Sequence, residues 1–416
     1  MRRKIDLVRI SPENRHFFFG YYDKHPWSKN QTKILGHEVF IEGKLPFKSD
    51  LADIGFFEQR GDKWFWKKLA SSPCWNFQQG TMLQWLDESH IIFNQLFDEE
   101  VRACVMNIDS RSKRYLETHF YCLSSDKMRA YSVCFNLIHK YRPGYGYSHC
   151  DAKKMVDYRK TGLSSCDIQS GKTTLHIPFQ NFIDENWVTN KDAFWIDHIL
   201  PAPDDKHIAF FLRHLTNDGG VYTRLFFANT QDWNYWCALD TGMGSHACWI
   251  VDNQFGIWAR QQSFVKSVTQ FNWSSLLKPI IAFVRKVGIP NQLRTSLYGD
   301  KFLFFNLTSG QVTSFGQRIP SNEGGGHFSF DNTSRWMLND TLPNKKGERP
   351  LMIYDLWQNK RYDILHLKTP LDIHSTPWRC DLHPRWSPDN SWVCIDSIHE
   401  GTRGIYVANI SPKISR

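Results

Sequence analysis

One turn recurs along this chain. Six stretches, "KHPWSKNQTKILG" (24–36), "TMLQWLDESHIIFN" (81–94), "HILPAPDDKHIAFF" (198–211), "HACWIVDNQFGIWA" (246–259), "GGHFSFDNTSRWML" (325–338) and "HPRWSPDNSWVCID" (383–396), share a plan. Each has a strand-like approach, a polar turn on Asp or Asn, and a second strand of alternating or continuous apolar residues, the signature of a β-hairpin. Weaker strand–turn–strand segments stand between them, at 103–116, 164–176, 224–239, 303–315 and 351–365. Alternating the two hairpin kinds gives four strands per unit. Recurrence every roughly 40–60 residues is the mark of a β-propeller.

Six units are visible directly, and residues 117–163, with "AYSVCFNLIHKYRPGYGYSHCDAKKM", hold an irregular seventh. The last unit ends in "RGIYVANI", and the N-terminal "KIDLVRI" supplies the strand that closes the ring. The expected fold is therefore all-β, one seven-bladed β-propeller domain over residues 1–416. Only "SSLLKPIIAFVRKVGIPNQL" (274–293) has apolar residues at helical spacing. It is expected to be a short helical insertion, within about 262–298, between the fifth and sixth blades. The repeated turn argues against a two-domain β-sandwich.

Composition narrows the partners. Aromatic residues make up 15% of the chain, favouring strands and offering flat faces for sugar rings. A formal net charge of +9 suits a polyanion: nucleic acid, anionic lipid or acidic polysaccharide. The basic residues are dispersed, without a Lys/Arg run or a recognised module, so nucleic acid is disfavoured. No apolar run approaches the roughly 18–20 residues of a transmembrane helix, and no signal-peptide core is visible. Ten cysteines without a CxxC pair suggest reduced thiols, and a cytoplasmic location is expected.

The register of the turn points to a site. In a propeller the innermost strand of each blade lines the central channel. Six residues before the turn Asp lies His383 in the last unit, His246 before Asp252 and His198 before Asp204. The same count gives Lys24, Thr81 and Gly325 elsewhere, and His327 lies two residues past Gly325, on the same face of a strand. Convergent neutral imidazoles hold a divalent transition metal, and a histidine or lysine titrating near neutrality removes a proton. Arg213, Arg260 and Arg379 stand close to these hairpins, and a guanidinium matches a carboxylate bidentately.

These residues carry a family likeness. "DHILPAPDDKHIAFFLRH", "SHACWIVDNQFGIW", "GGHFSFDNTSRWMLND" and "LHPRWSPDNSWVCID" resemble the matching blades of oligogalacturonate lyases, and "YYDKHPWSKNQTKIL" resembles their first blade. More loosely, the chain is similar to ulvan lyases and other propeller lyases of uronate polysaccharides. The likeness implies β-elimination of uronate glycans with a Mn²⁺ held mainly by histidines. The implied metal histidines are His246 and His383; the third falls on Gly325, where this chain departs, with His327 the nearest substitute. The histidine and arginine of the preceding blade correspond to His198 and, approximately, Arg213.

β-Elimination beside a uronate needs a positive group on the carboxylate, a base for the neighbouring proton and an acid near the leaving oxygen. The candidates are a metal or Arg213 as neutraliser, His198 or Lys24 as base, and Tyr21 or Tyr22 at the leaving oxygen. Gln78, Gln79, Arg260, Arg379 and Tyr145, the last in a Gly/Tyr loop suited to a sugar-stacking rim, are candidate substrate contacts. Two alternatives stand beside the lyase. One is a non-catalytic propeller that binds acidic polysaccharide or a protein partner in surface-polysaccharide assembly. The other is a glycoside hydrolase using Asp23, Asp197 or Asp381, which needs two carboxylates roughly 5–10 Å apart.

Overall fold

The computed structural model describes residues 5–188, 191, 193–217, 219–251, 253–261, 299–319 and 325–411. Seven four-stranded antiparallel sheets form the blades of a propeller. The first blade comprises His16–Phe18, Lys33–Val39, Ala52–Arg60 and Lys63–Ser72; the second, Gln84–Trp85, His90–Phe97, Glu100–Asn107 and Lys113–Tyr115. The third comprises Cys122–Leu123, Arg129–Ser132, Gly162–Asp167 and Thr173–Pro178; the fourth, Phe194–Pro201, His207–Leu215, Val221–Asn229 and Tyr235–Gly242. The fifth holds Gly244–Ile250, Gln254–Arg260, Asp300–Asn306 and Val312–Phe315; the sixth, Phe328–Phe330, Trp336–Asp340, Glu348–Asp355 and Lys360–Lys368. From the third blade to the seventh, the first strands of neighbouring blades touch one another. Two short helices, Phe135–Tyr141 and Phe179–Asp184, accompany the strands.

The seventh blade joins both ends of the sequence. Arg385–Trp386, Trp392–Ser397 and Gly404–Asn409 take Leu7–Arg9 as their outermost strand, in the register Leu7↔Ala408, Val8↔Val407 and Arg9↔Tyr406. Arg9 fastens the join with Glu400 at 3.0 Å, Tyr406 Oη at 3.1 Å and Thr402 Oγ1 at 2.8 Å. The expected closing strand is therefore present. The 274–293 segment lies outside the described residues, but its position in the chain is corrected. Gln254–Arg260 pairs directly with Asp300–Asn306, so residues 262–298 fall inside the fifth blade, between its second and third strands, not between blades five and six.

The recurring turn is a side-chain device. In the last blade Asp389 accepts the Ser387 hydroxyl at 2.6 Å and the Ser391 N–H at 3.0 Å, while Asn390 takes φ +60°. Asn30 does the same with Ser28 and Thr32 in the first blade, next to Gln31 at φ +62°. Asp and Asn bond their own backbone two residues on and tolerate left-handed neighbours, which is why they recur here. The irregular third blade uses the identical turn: Asp126 accepts from Ser124 and Met128 beside Lys127 at φ +59°.

Within the first blade aromatic side chains interlock, Phe17 meeting Phe57 and Trp66 at 5.3 and 5.1 Å between ring centroids and Phe18 stacking on His37 at 5.1 Å. His37 is sealed among them. Its Nε2 accepts the Thr81 N–H at 3.2 Å and lies 3.0 Å from Thr81 Oγ1, and a Cβ at Gly80 would stand 2.3 Å from its ring. Burial lowers its pKa to about 4. Because the unfolded state then binds the extra proton, stability is intact above the unfolded value near 6.5 and falls as pH drops toward 4. Roughly 3 kcal/mol is expected from this group alone. Urea midpoints of wild type and His37→Asn at pH 7 and pH 4.5 check it: the variant should lose less on acidification, and equal losses would refute the assignment.

Candidate functional site

At the N-terminal ends of the inner strands, four blades converge on one cluster. The His246 and His327 rings lie 4.1 Å apart and those of His327 and His383 4.3 Å apart. Tyr21 packs edge-on to His383, His198 and His327 at 4.9, 5.3 and 5.6 Å, and Tyr22 lies 5.2 Å from His327. The turn register therefore aims at a real meeting point.

Backbone shape is unusual at three of the counted positions, while His246 arrives without a left-handed φ. His198, Gly325 and His383, all at the same count from their turns, have φ of +53°, +79° and +43°. A side-chain-bearing residue holds the left-handed conformation only where its surroundings over-determine it. At His198 they do. Its N–H donates to Tyr121 Oη at 3.1 Å, and the strand register shifts between Asp197 and Leu200. At Gly325 a Cβ would meet Trp258 Nε1 at 3.0 Å, so glycine occupies the register and His327 supplies the imidazole.

Lys24, at the same count, goes elsewhere. Its ammonium bonds both Asp23 oxygens at 2.9 Å and lies over the Tyr121 ring at 5.1 Å. It lines a cavity of about 450 Å³ at the opposite, C-terminal ends of the inner strands, with Trp27, Trp85, Cys122 and Trp249; none of the four clustered histidines borders that cavity.

Two carboxylates organise the cluster. Asp197 accepts from Arg213 Nε and pairs with His198 Nδ1, both at 2.8 Å, and from Arg142 Nη1 at 2.9 Å and Trp195 Nε1 at 3.0 Å. Burial alone would raise its pKa, but Arg213, His198 and Arg142 hold it well below the usual carboxylate range. An ionised Asp197 fixes the His198 tautomer with Nδ1 protonated. The Nε2 lone pair then accepts the Tyr21 hydroxyl at 3.0 Å. Burial, outweighing Asp197, lowers the His198 pKa, so the ring is neutral at pH 7. Asp381 is likewise held well below its usual range, burial opposing and Arg379 and Arg349 prevailing.

His327 receives comparable bracing. Asp340 lies 3.0 and 3.2 Å from its Nδ1 and accepts its backbone N–H at 2.7 Å, which turns Nε2 toward the cluster. That Nε2, the His383 Nε2 and the His246 Nδ1 are all buried without a hydrogen-bond partner in the protein. Buried polar atoms are rarely left so, and each calls for an occupant. Donor atoms of His327, Asp381 and His383 lie within 4.8 Å of one another, all three residues being buried. Two opposite metal–nitrogen bonds span about 4.2 Å, so a small contraction closes the set on a cation. Imidazole and carboxylate donors suit a divalent transition metal, and the residues fit one.

The other sequence candidates fall into place around this core. Arg379 donates to Asp381 at 2.7 Å and to Tyr145 Oη at 3.1 Å. Arg213 is committed to Asp197 and to Thr223 Oγ1 at 2.7 Å. Tyr22 has its hydroxyl engaged by the backbone of Ala247, donating at 2.9 Å and accepting at 2.7 Å. Gln78 and Gln79 are buried, donating to the Pro377 and Arg379 carbonyls and to Tyr121 Oη respectively. Arg260 forks onto Asp300 at 2.8 and 3.2 Å. Sequence reasoning did not single out Asp340, Arg142 or Arg349, nor Asp381 as a metal donor. The spacing Asp381–x–His383, a carboxylate and an imidazole two residues apart, was the available signal for the last.

No protein-family model matches the chain, and neither does any curated protein. Solved structures do match. The fold is shared with oligogalacturonate lyases. One, from Vibrio parahaemolyticus, is 11% identical, with a TM-score of 0.61 over 98% of this chain and 97% of its own. Another, an oligogalacturonate lyase in complex with manganese, is 12% identical, with a TM-score of 0.64 over 97% and 92%. A puromycin-hydrolysing peptidase of Mycobacterium tuberculosis is also similar, at 10% identity and a TM-score of 0.50 over 90% of this chain and 49% of that one. At these identities the likeness is one of fold.

Proposed function

We propose that this chain is a carbon–oxygen lyase that cleaves uronate-containing oligo- or polysaccharides by β-elimination. One observation carries the reading: His327, Asp381 and His383 converge, with unpartnered imidazole nitrogens, beneath an arginine rim. These three would hold a divalent cation, manganese by analogy with the similar lyase structure, and a cation there supplies a Lewis acid for the substrate carboxylate. Arg142 and Arg379, whose side chains are 30% and 22% exposed, are the accessible guanidiniums at the rim and suit an acidic glycan. The neutral His198, holding the Tyr21 hydroxyl, is the proton acceptor, and Asp197 balances the imidazolium that forms.

The hydrolase alternative needs one carboxyl kept protonated at neutral pH. Asp197 and Asp381 are instead held far into their ionised form, and Asp23 is paired with Lys24. The deciding measurement is ultraviolet absorbance of the unsaturated product on a panel of uronate glycans, with Mn²⁺ and with a chelator. A rise that the chelator abolishes is expected. Binding without any rise would favour the non-catalytic propeller. His198→Ala is expected to lower turnover by about 10²–10⁴-fold while leaving Mn²⁺ affinity in place. Unchanged turnover would remove His198 from its role.

A further inference from the structure

The Gly/Tyr loop brings a tyrosine down into the channel rather than presenting it at the surface. Pro143–Tyr145 forms a single 3₁₀ turn. A Cβ on Gly144 would stand 2.7 Å from Pro377, and one on Gly146 would stand 2.4 Å from the backbone of His139. Those two close approaches seat Tyr145 between the helix Phe135–Tyr141 and the 369–384 connection. The Arg142 guanidinium covers one face of its ring at 3.8 Å, and Arg379 Nη2 donates to its oxygen at 3.1 Å. Tyr21 and His198 face it with centroids 6.1 Å away, and Asp381 acts on it from behind Arg379. With one ring face taken by a guanidinium, Tyr145 is poorly placed as the sugar platform expected from sequence.

We propose that Tyr145 is the catalytic acid that protonates the leaving oxygen. The assignment rests on the lyase reading above. An arginine can only donate, so the Tyr145 oxygen is an acceptor toward Arg379 and its own proton is left to point at a substrate. Tyr21 and Tyr22 differ, because their hydroxyls are held by His198 and Ala247. In the elimination the C–H bond beside the carboxylate breaks and its proton goes to the His198–Tyr21 pair. The electron pair forms the carbon–carbon double bond, the C–O bond breaks, and the departing oxygen takes the Tyr145 proton. The phenolate left behind faces two guanidiniums already in position, so its charge is stabilised without rearrangement. Water restores the proton. In the resting protein burial raises the Tyr145 pKa, but Arg142 and Arg379 outweigh it and the net shift is downward.

The test has two arms. Ultraviolet titration of the folded protein should reveal one tyrosinate forming below the ordinary value of about 10. It should be absent in Tyr145→Phe and moved upward in Arg379→Gln, which keeps the phenol. In the elimination assay, Tyr145→Phe should lower kcat by about 10²–10⁴-fold with KM little changed. Coincident titration curves for wild type and Tyr145→Phe, or a Tyr145→Phe kcat within a few-fold of wild type, would overturn the proposal. A wild type that eliminates nothing removes the lyase reading and the acid role together. The tyrosinate signal then still reports whether the arginine pair perturbs the phenol, so the two failures are told apart.

Discussion

Arg349→Met is expected to destabilise the propeller by about 3–5 kcal/mol, the range found when one partner of a buried ion pair is removed. Arg349 is 1% exposed and sits 2.8 Å from Asp381 Oδ1 and 3.8 Å from Asp340 Oδ2, an ion pair rather than an aligned hydrogen bond. Methionine matches much of its volume and none of its charge, leaving two buried carboxylates to Arg379 and to the His327 and Leu382 N–H groups. The acid response adds a signature. Asp381, with its depressed folded pKa, contributes stability that is present above the unfolded carboxyl range and is lost as pH falls through the folded value. Removing Arg349 weakens that depression, so the variant should lose less stability on acidification. Urea denaturation at pH 7 and below pH 4 checks both, and a loss under about 1 kcal/mol at pH 7 would show that the pair is not the brace described.

His327→Ala is expected to reduce Mn²⁺ affinity by more than about 100-fold, since replacing even the partner of a metal ligand typically costs 10–100-fold. Asp340→Asn, which keeps its shape but weakens the hold on His327 Nδ1, should fall within that 10–100-fold range. Isothermal titration with Mn²⁺ measures both without reference to any substrate. Elimination should fall together with affinity and return at raised Mn²⁺ in Asp340→Asn. If His327→Ala binds Mn²⁺ as wild type does, the donor set His327, Asp381 and His383 is not the cation site.

What was legible in the sequence is what local chemistry decides. The Ser–x–Asp–x–Ser/Thr turn closes on its own side chains, so it announces a hairpin wherever it occurs. The third blade was harder to see because residues 133–161 separate its second strand from its third, although its Ser124–Asp126 turn obeys the same rule. Histidines at a fixed distance from the turn were readable for the same reason. Lys24 shows the limit: it and His246 share the count from the turn, neither with a left-handed φ, yet only His246 joins the cluster, so the count alone does not fix where a side chain goes. Asp340 and Arg349 lie on the second and third strands of blade six and reach the cluster across the sheet, so no count along an inner strand reaches them. The displaced insertion has a related cause, because the segments flanking 262–298 read equally well as separate hairpins until their pairing is known.

The ring is closed by pairing residues 7–9 with residues near 406–408, and that seam runs past the cluster. Asp381 and His383 belong to the blade completed by the N-terminal strand, while Tyr21 comes from the blade on the other side of the join. During synthesis nothing can assemble there until nearly four hundred residues have emerged, because one half of the clasp is made first and the other last. A cation held by His327 and the Asp381–His383 segment would bind only when blades six and seven are packed together, and so would favour that docking by mass action. Loading the site would then hold the last two blades together, beside the seam that the N-terminal strand completes.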